Sequence, residues 1–295
     1  MKPYRSLLFV PGHKASWVDK ALNAGTHAVI LDLEDAVPEK EKAEARAVTR
    51  DSVARLSETD VGVIVRVNAL DTPHFGKDIA AVVQRGLTAL LLPKVYSATD
   101  ISAFDVLLRY FELEAGLPVG EIELIPSLET AKSLTNVDEI AAGPRVGSLM
   151  AAAAKGADIS REVGFRWSAS GEETLYLRSK VVLAARSAGL RHIVLGLWQD
   201  IHDLAGLEKF ARANAALGYG GQVVIHPSHV AVVNSVFGLD EAEIERLKGI
   251  VDAYNLAVSR GQGAATFQGE HIDLAHAENS RQLLAVEAAN RKDKR

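Results

Sequence analysis

The chain has 295 residues, of which 48% are hydrophobic and 24% charged, and its formal net charge is -5. This is an ordinary globular composition with material for a large core, and its mild acidity gives no electrostatic reason to expect nucleic acid or an anionic membrane as a partner. The absence of cysteine excludes disulfides, thiolate catalysis and cysteine-ligated zinc, and no signal peptide or bilayer-spanning stretch is found, so we expect a cytoplasmic protein.

Short apolar runs alternate with longer helical patterns, beginning with "SLLFV" and the helical "KASWVDKALNAG". The predicted strands in chain order are Ser6–Val10, His27–Glu34, Val63–Asn68, Ala89–Val95, Glu123–Glu129, Val146–Ala152, His192–Trp198 and Gly221–His226. Because these runs are apolar on both faces, they indicate parallel strands covered by helices. Eight of them predict an α/β fold, a TIM (β/α)8 barrel over residues 1–237, with a doubly wound open sheet as the alternative.

After the eighth strand the pattern changes. Residues 239–261 predict one long amphipathic helix, residues 262–273 a loop or short hairpin, and residues 274–292 a closing helix. Residues 238–295 are therefore predicted to form a C-terminal helical extension that is too small to be an independent domain.

Polar residues collect where the predicted strands end, which is where barrel enzymes carry their functional groups. Glu129 ends the fifth strand, and Asp158 follows the sixth in "AKGADIS". Two hard oxygen ligands on neighbouring strands suit Mg²⁺, which completes its shell with water and substrate oxygens. Ion pairing or, for Glu129, capping of the next helix would explain the same residues.

Three further strand-end residues each admit two interpretations. Arg66 either neutralises the acids of the second strand or holds a carboxylate or developing enolate. Lys94 either forms an ion pair with such an acid or forms a Schiff base. His226 either holds its loop by a hydrogen bond or serves as a ligand or base. The acids of "PEKEKAEARAVTRD" indicate a solvated helix face.

Several segments together resemble a known family. "RSLLFVPGHK", "DLEDAVP", "VRVN", "LLPKV", "IPSLETAK" and "VVIHPSH", in this order, look like the citrate lyase β-subunit-like group of the HpcH/HpaI aldolase superfamily, which includes malyl-CoA and citramalyl-CoA lyases. The resemblance covers nearly the whole chain. It implies a TIM barrel, dependence on Mg²⁺, and cleavage or formation of a carbon–carbon bond next to a thioester.

The resemblance also implies roles for individual residues. Arg66 matches the arginine that contacts the substrate, and Glu129 and Asp158 match the two metal carboxylates. Glu34 and Asp35 match acids near the metal that do not bind it directly.

Other matches concern substrate binding. Arg5 and Lys14 lie where family members reach CoA phosphates, and the backbone at Gly156 and Ala157 would hold a substrate carboxylate. This chain departs from the family just before that point, because Ala154 and Lys155 replace the usual aromatic residue and glycine. The added positive charge puts the identity of the substrate acid in question.

The tail carries a further match. "FQGEHIDLAHAENSR" resembles the C-terminal segment of lyases that act on free CoA thioesters, in which an aspartate of one subunit enters the active site of its neighbour. Here that residue is Asp273, and the match implies a homo-oligomer, a trimer or hexamer. The alternative is a loop that caps its own barrel.

Three functions compete. The first is a Mg²⁺-dependent lyase or synthase that interconverts a malyl-, methylmalyl- or citramalyl-CoA with a 2-oxo acid and acetyl- or propionyl-CoA, the thioester being substrate and not cofactor. The second adds hydrolysis of the thioester, as in a malyl-CoA-type thioesterase or a malate or citramalate synthase. The third is a citrate lyase β subunit or a non-catalytic subunit that binds an acyl carrier.

Overall fold

The computed structural model describes residues 2–292, and the side chains up to Asn290. Contacts between Cα atoms divide the chain into two units, Pro3–Phe237 and a second unit from Gly238 on. Between residues 2 and 292 no helix combines the length and the apolar composition needed to cross a bilayer.

The first unit is a closed barrel of eight parallel strands. The strands are β1 Ser6–Pro11, β2 Ala28–Asp32, β3 Gly62–Arg66, β4 Ala89–Leu92, β5 Glu123–Leu128, β6 Met150–Ala151, β7 Val194–Leu195 and β8 Gly221–Val224. Strand β1 pairs with both β2 and β8, which closes the ring. The predicted TIM barrel is confirmed, and the doubly wound open sheet is wrong.

Helices follow the strands around the barrel. They are α1 Ala15–Asn23, α2 Lys42–Leu56, α3 Phe75–Val82, α4 Ala98–Glu114, α5 Ala131–Thr135, α6 Val137–Ala141, α7 Asp158–Val163, α8 Leu175–Ser187, α9 Leu204–Leu217 and α10 Pro227–Val236. Short 3₁₀ helices at Glu39–Glu41 and Glu172–Thr174 lead into α2 and α8. A large apolar cluster fills the layer between strands and helices.

The barrel interior is filled by inward-facing side chains, at least one from each strand. They include Leu7, Ile30, Ile64, Leu91, Ile125, Met150, Val194 and Val223. Such layers make the barrel a packed core and leave only the strand ends open for function.

The sixth and seventh strands are much shorter than predicted. Strand β6 covers two residues of the predicted Val146–Ala152, and Val146 itself pairs with Leu124 only in an isolated bridge. Strand β7 covers two residues of the predicted His192–Trp198. The apolar residues that flank β6 and β7 outside the hydrogen-bonded strands are still buried or half-buried. The apolar pattern therefore predicted burial correctly but predicted strands that are too long.

The second unit consists of two helices and a hairpin. Helix α11 (Glu241–Ser259) begins at Asp240, whose side chain accepts a hydrogen bond from the Glu243 N–H at 2.8 Å. Strands β9 (Ala264–Phe267) and β10 (Glu270–Asp273) pair in antiparallel, and α12 (Leu274–Lys292) closes the unit against α11. Of the two expectations for residues 262–273, the hairpin is confirmed.

Candidate active site

A cleft of about 380 Å³ lies at the carboxyl ends of the barrel strands. Its apolar floor includes Met150 and Val223 of the barrel interior and Phe9, which packs against that cluster. The polar side chains on its wall are those of Asp35, Arg66, Glu129 and Asp158. Gly156 and Ala157 also line it, so six of the residues predicted for the site meet in one cleft.

Arg66 is fixed by Asp32. The two residues are direct partners in the register of β2 and β3, and both continue the inward-facing series of their strands. Nε and Nη2 of Arg66 donate to Oδ1 and Oδ2 of Asp32, each at 2.7 Å. Burial lowers the pKa of Arg66, but its hydrogen bonds with Asp32 and the charges of Asp32 and Glu34 outweigh this and raise it. The guanidinium is therefore a fixed positive charge at the cleft.

Asp32 itself was assigned no role in the sequence-based site. Its two oxygens also accept the N–H groups of Glu34 at 2.9 Å and Ala36 at 3.0 Å, so the loop after β2 folds around this buried carboxylate. The spacing along β2 could have indicated that Asp32 faces the barrel interior, because it lies two residues after Ile30 and four after Ala28, which both face inward.

Glu34 is buried between two cations. Its Oε2 lies 3.0 Å from Nη1 of Arg66, and its Oε1 lies 3.4 Å from Nζ of Lys94. Burial raises the pKa of Glu34 to about 7; Arg66 opposes this shift, and the neighbouring acids Asp35 and Glu129 add to it. This carboxyl group therefore changes its charge close to neutral pH.

Lys94 forms the predicted ion pair. Burial lowers the pKa of Lys94, but the charges of Glu34 and Asp35 outweigh it and raise the pKa. Schiff-base chemistry needs a neutral amine, which a raised pKa disfavours. Between the two interpretations from the sequence, the structure favours the ion pair.

Glu129 follows β5 and is held by two donors. Its Oε1 accepts the peptide N–H of Lys94 at 2.8 Å, and its Oε2 accepts the hydroxyl of Ser127 at 2.9 Å. Burial raises the pKa of Glu129, and the charge of Asp158 adds to the effect. Helix α5 is capped by Thr130, whose hydroxyl oxygen accepts the Ser133 N–H at 3.0 Å, so Glu129 is not the helix cap.

Asp158 is the first residue of α7 and half-buried at the cleft wall. Its Oδ1 pairs with Nη2 of Arg161 at 2.7 Å, and that arginine is 76% exposed. The loop before it turns at Gly156, which has a φ of 65°, a conformation that favours glycine. Ala154 and Gly156 line the cleft, and Lys155 lies exposed between them with its Nζ 6.0 Å from the centre of the Trp167 ring.

Glu129 and Asp158 fit Mg²⁺ as ligands. Residues 2–292 contain no group of three His, Cys, Asp or Glu side chains arranged to hold a metal, which argues against an all-protein cage in that range. Two carboxylates with further coordination left to water and substrate are what Mg²⁺ accepts. Burial is the main cause of the raised pKa of Glu129, and the repulsion from Asp158 that adds to it would be relieved by a divalent cation between the two acids.

A buried polar network supports the loop after β2, and sequence reasoning missed it. The acids Glu39 and Glu44 are exposed as expected, but Lys42 on the same segment is buried. Its Nζ donates to the carbonyl oxygens of Leu33 at 2.9 Å and Glu34 at 3.0 Å, and to Oδ1 of Asn68 at 2.8 Å. The charged residues around Lys42 have the pattern of a solvent-exposed helix, and nothing in that pattern distinguishes the one lysine that is buried.

Arg5, Lys14 and His226 are not among the residues that line the cleft. Arg5 precedes β1 at the amino end of the strands, opposite the cleft, whereas Lys14 is exposed at the start of α1 on the cleft side. His226 caps α10, its Nδ1 accepting the Ser228 N–H at 3.2 Å, which is the expected loop-holding role. A CoA contact of Arg5 or Lys14 stays a prediction.

Asp273 ends β10 in the second unit. Its Oδ1 accepts the Ala275 N–H at 3.0 Å and lies 2.7 Å from Nδ1 of His276. The hydrogen bond with the His276 side chain, together with backbone bonds, lowers the pKa of Asp273, so the carboxylate is ionised at neutral pH.

The chain resembles known proteins in both sequence and fold. Residues 5–227 match the family model of HpcH/HpaI aldolase/citrate lyase. The chain is 32% identical to a (3S)-malyl-CoA thioesterase of Cereibacter sphaeroides over 96% of this chain and 94% of that protein. It is also 32% identical to the mitochondrial citramalyl-CoA lyase of Homo sapiens, over 92% and 82% of the two chains. Among solved structures, CitE of Mycobacterium tuberculosis in complex with magnesium, acetoacetate and coenzyme A matches 97% of this chain and 98% of its own, with a TM-score of 0.73 and 29% identity.

Proposed function

We propose that this chain, which belongs to the HpcH/HpaI aldolase/citrate lyase family, is a Mg²⁺-dependent lyase of 3-hydroxyacyl-CoA thioesters of the malyl-, methylmalyl- or citramalyl-CoA type. Its membership makes it a carbon–carbon lyase, and the related CitE structure contains magnesium and coenzyme A. The products would be a 2-oxo acid and acetyl- or propionyl-CoA. The observation that carries the proposal is the meeting of Glu129, Asp158 and Arg66 on one cleft.

The substrate would be held by groups of both charges. Glu129 and Asp158 would hold Mg²⁺, which when bound supplies Lewis-acid polarisation of the substrate's hydroxyl and carboxylate oxygens. Gly156 and Ala157 line the same cleft, and the backbone there would orient the carboxylate.

Arg66 is placed to stabilise the charge that develops during cleavage. In that direction the hydroxyl loses its proton, the carbon–carbon bond breaks, and its electrons form the thioester enolate. Asp32 occupies two of the five guanidinium N–H groups and Glu34 lies 3.0 Å from Nη1, so N–H groups remain for the enolate oxygen. Phe9, Met150 and Val223 make this part of the cleft apolar, which strengthens the interaction.

Asp273, ionised at neutral pH, would accept the proton of the thioester's α-carbon in synthesis. In cleavage it would take up the proton that leaves the substrate hydroxyl and pass it on to the enolate carbon. We propose that it does so in the site of a neighbouring subunit of a homo-oligomer, as a trimer or hexamer. The match to CitE over 97% of this chain includes most of the second unit, in which Asp273 lies.

A condensation screen tests the proposal. Acetyl-CoA and propionyl-CoA are incubated with glyoxylate, pyruvate or oxaloacetate and Mg²⁺, and new acyl-CoA masses are recorded. We expect a 3-hydroxyacyl-CoA from at least one pair, and none after the metal is chelated.

A malyl-CoA-type thioesterase is the second candidate, favoured by the 32% identity to the Cereibacter protein of that name. Its products differ from those of the lyase, because hydrolysis of the thioester gives the free 3-hydroxy acid and CoA thiol without breaking a carbon–carbon bond. Thiol release in step with consumption of the 3-hydroxyacyl-CoA would support the thioesterase, and an intact thioester pool would support the lyase.

A further inference from the structure

Lys94 has an unusual backbone for a residue with a side chain. Its φ is 49°, in the left-handed region that residues other than glycine rarely adopt. Among residues 2–292 only Arg145 and Gln268 share this feature without being glycine. A glycine would adopt this conformation without the steric cost, so the lysine is kept at a loss of stability.

The conformation lets one residue hold two acids of the cleft. The peptide N–H of Lys94 donates to Oε1 of Glu129, at the end of β5, at 2.8 Å. Its ammonium lies 3.4 Å from Oε1 of Glu34, in the loop after β2. Glu34 in turn contacts Nη1 of Arg66 at 3.0 Å, so Lys94 connects the proposed metal ligand with the proposed enolate-binding arginine.

Packing does not explain the lysine. Its side chain is 37% exposed, whereas the buried Lys42 and Arg178 are 8% and 3% exposed as whole residues. Strained backbone that contributes little to packing is typical of sites where geometry serves function.

We propose that Lys94 is a positioning residue with two separate tasks. Its peptide N–H orients Glu129 for Mg²⁺, and its ammonium orients Glu34 and through it Arg66. The inference rests on the proposed function for the roles of Glu129 and Arg66, whereas the backbone strain at Lys94 is independent of it.

Four variants separate backbone strain from charge. Lys94→Ala and Lys94→Met keep a side chain in the left-handed conformation and remove the ammonium. Lys94→Gly removes both the ammonium and the strain, and Lys94→Arg keeps the charge. We expect the Gly variant to melt at a higher temperature than the Ala variant, because relief of the strain exceeds the added flexibility of the unfolded chain.

The kinetic expectation concerns kcat. Loss of the ammonium should lower kcat by about 10- to 100-fold, the usual effect of losing a residue that orients an active-site group from behind. The KM for the CoA thioester should be nearly unchanged. Lys94→Arg should recover most of kcat. Mg²⁺ affinity of Lys94→Met, measured by calorimetry, should stay close to that of the wild type because the peptide N–H remains on Glu129.

Gln268 provides a matched control. It has the same φ of 49°, is exposed, and lies in the β9–β10 turn of the second unit. The comparison of Gln268→Gly with Gln268→Ala should show a similar gain in melting temperature, while Mg²⁺ affinity is unchanged in both.

Each part can be overturned separately. A Lys94→Ala protein that melts as high as Lys94→Gly contradicts the strain, and this result needs no substrate. Wild-type kcat in Lys94→Met contradicts the role of the ammonium, and a tenfold weaker Mg²⁺ affinity in that variant contradicts the role given to the peptide N–H. An inactive wild-type enzyme in the condensation screen would instead reject the proposed function and leave the melting comparison valid.

Discussion

Arg66 and Asp32 face each other across neighbouring barrel strands and form two parallel hydrogen bonds of 2.7 Å. This fork holds the guanidinium at the cleft while Asp32 also accepts two N–H groups of the loop that carries Glu34. One buried carboxylate thus fixes both the cation and the acid beside it.

The substitution Asp32→Asn should weaken activity without touching the proposed metal ligands. We expect kcat to fall about 10- to 100-fold because Arg66 loses the pair of charged hydrogen bonds that orients it. The affinity for Mg²⁺ should be retained. Breaking a buried pair should also lower the free energy of unfolding by roughly 3 kcal/mol. Asp51→Asn is the control, since Asp51 pairs with Arg50 at the exposed surface. Wild-type kcat in Asp32→Asn would show that Arg66 needs no such support.

The titration of Glu34 predicts a pH dependence of stability. Its pKa rises on folding from 4.5 to about 7, so the folded state binds a proton that the unfolded state has released between these values. The stability from neutral Glu34 is therefore present below pH 4.5 and lost as the pH rises through 7, by an amount on the order of 3 kcal/mol.

Glu34→Gln should remove this part of the pH profile. Urea unfolding of both proteins, with EDTA and from pH 4.5 to 8, gives the difference in unfolding free energy at each pH. We expect that difference to shift in favour of the variant as the pH rises. A difference that stays constant would mean that Glu34 titrates alike in the folded and unfolded protein.

Mg²⁺ should stabilise the wild-type protein through Glu129 and Asp158. A ligand that binds only the folded state adds about 2.7 kcal/mol at a concentration of one hundred times its Kd, which is readily seen as a higher melting temperature. We expect this shift to disappear in Glu129→Gln and Asp158→Asn. Arg161→Gln should keep it, because Arg161 is exposed and only competes with the metal for Asp158. A full shift in both carboxylate variants would place the metal elsewhere.

The architecture and the cleft were predictable from the sequence to different degrees. Two-sided apolar runs were enough for eight parallel strands, and strand-end position was enough to place Arg66, Glu129 and Asp158 on one cleft. The sequence also predicted, as one interpretation of each residue, that Arg66 neutralises acids of the second strand and that Lys94 pairs with such an acid, and both pairings form. Which acid each cation contacts depends on strand register and loop geometry, and so does the left-handed backbone of Lys94, so these details were not predictable.

Lys42 shows the same limit for burial. Its segment has the charge pattern of a solvated helix, yet the Nζ atom bonds to two carbonyl oxygens and to Asn68 in the interior. Lys42→Met would leave Oδ1 of Asn68 without its donor, whereas the carbonyl oxygens of Leu33 and Glu34 would keep the Asn68 side-chain amide and the Val37 N–H. This should lower the free energy of unfolding by about 2 kcal/mol. Lys40→Met, exposed two residues earlier, should change it by less than about 0.5 kcal/mol. Equal unfolding midpoints in urea for the two variants would contradict the role of the network.

The proposed sharing of Asp273 between subunits can be tested by complementation. Arg66→Gln and Asp273→Asn should each lose about 100-fold or more in activity as homo-oligomers. Co-expression in equal amounts should restore about a quarter of the wild-type activity, because random assembly joins an intact Arg66 to an intact neighbouring Asp273 in that share of sites. If the mixture stays as inactive as its components, the tail does not serve a neighbour's site.

Cleavage of the CoA thioester tests the central claim most directly. Malyl-CoA, methylmalyl-CoA and citramalyl-CoA are incubated with the wild-type protein and with Glu129→Gln, and the 2-oxo acid, acyl-CoA and free thiol are measured together. We expect the wild type to convert at least one of them into a 2-oxo acid and an acyl-CoA in equal amounts, and EDTA or Glu129→Gln to abolish this conversion. A folded, Mg²⁺-binding protein that cleaves none of the three, or cleavage that persists in EDTA, would contradict it.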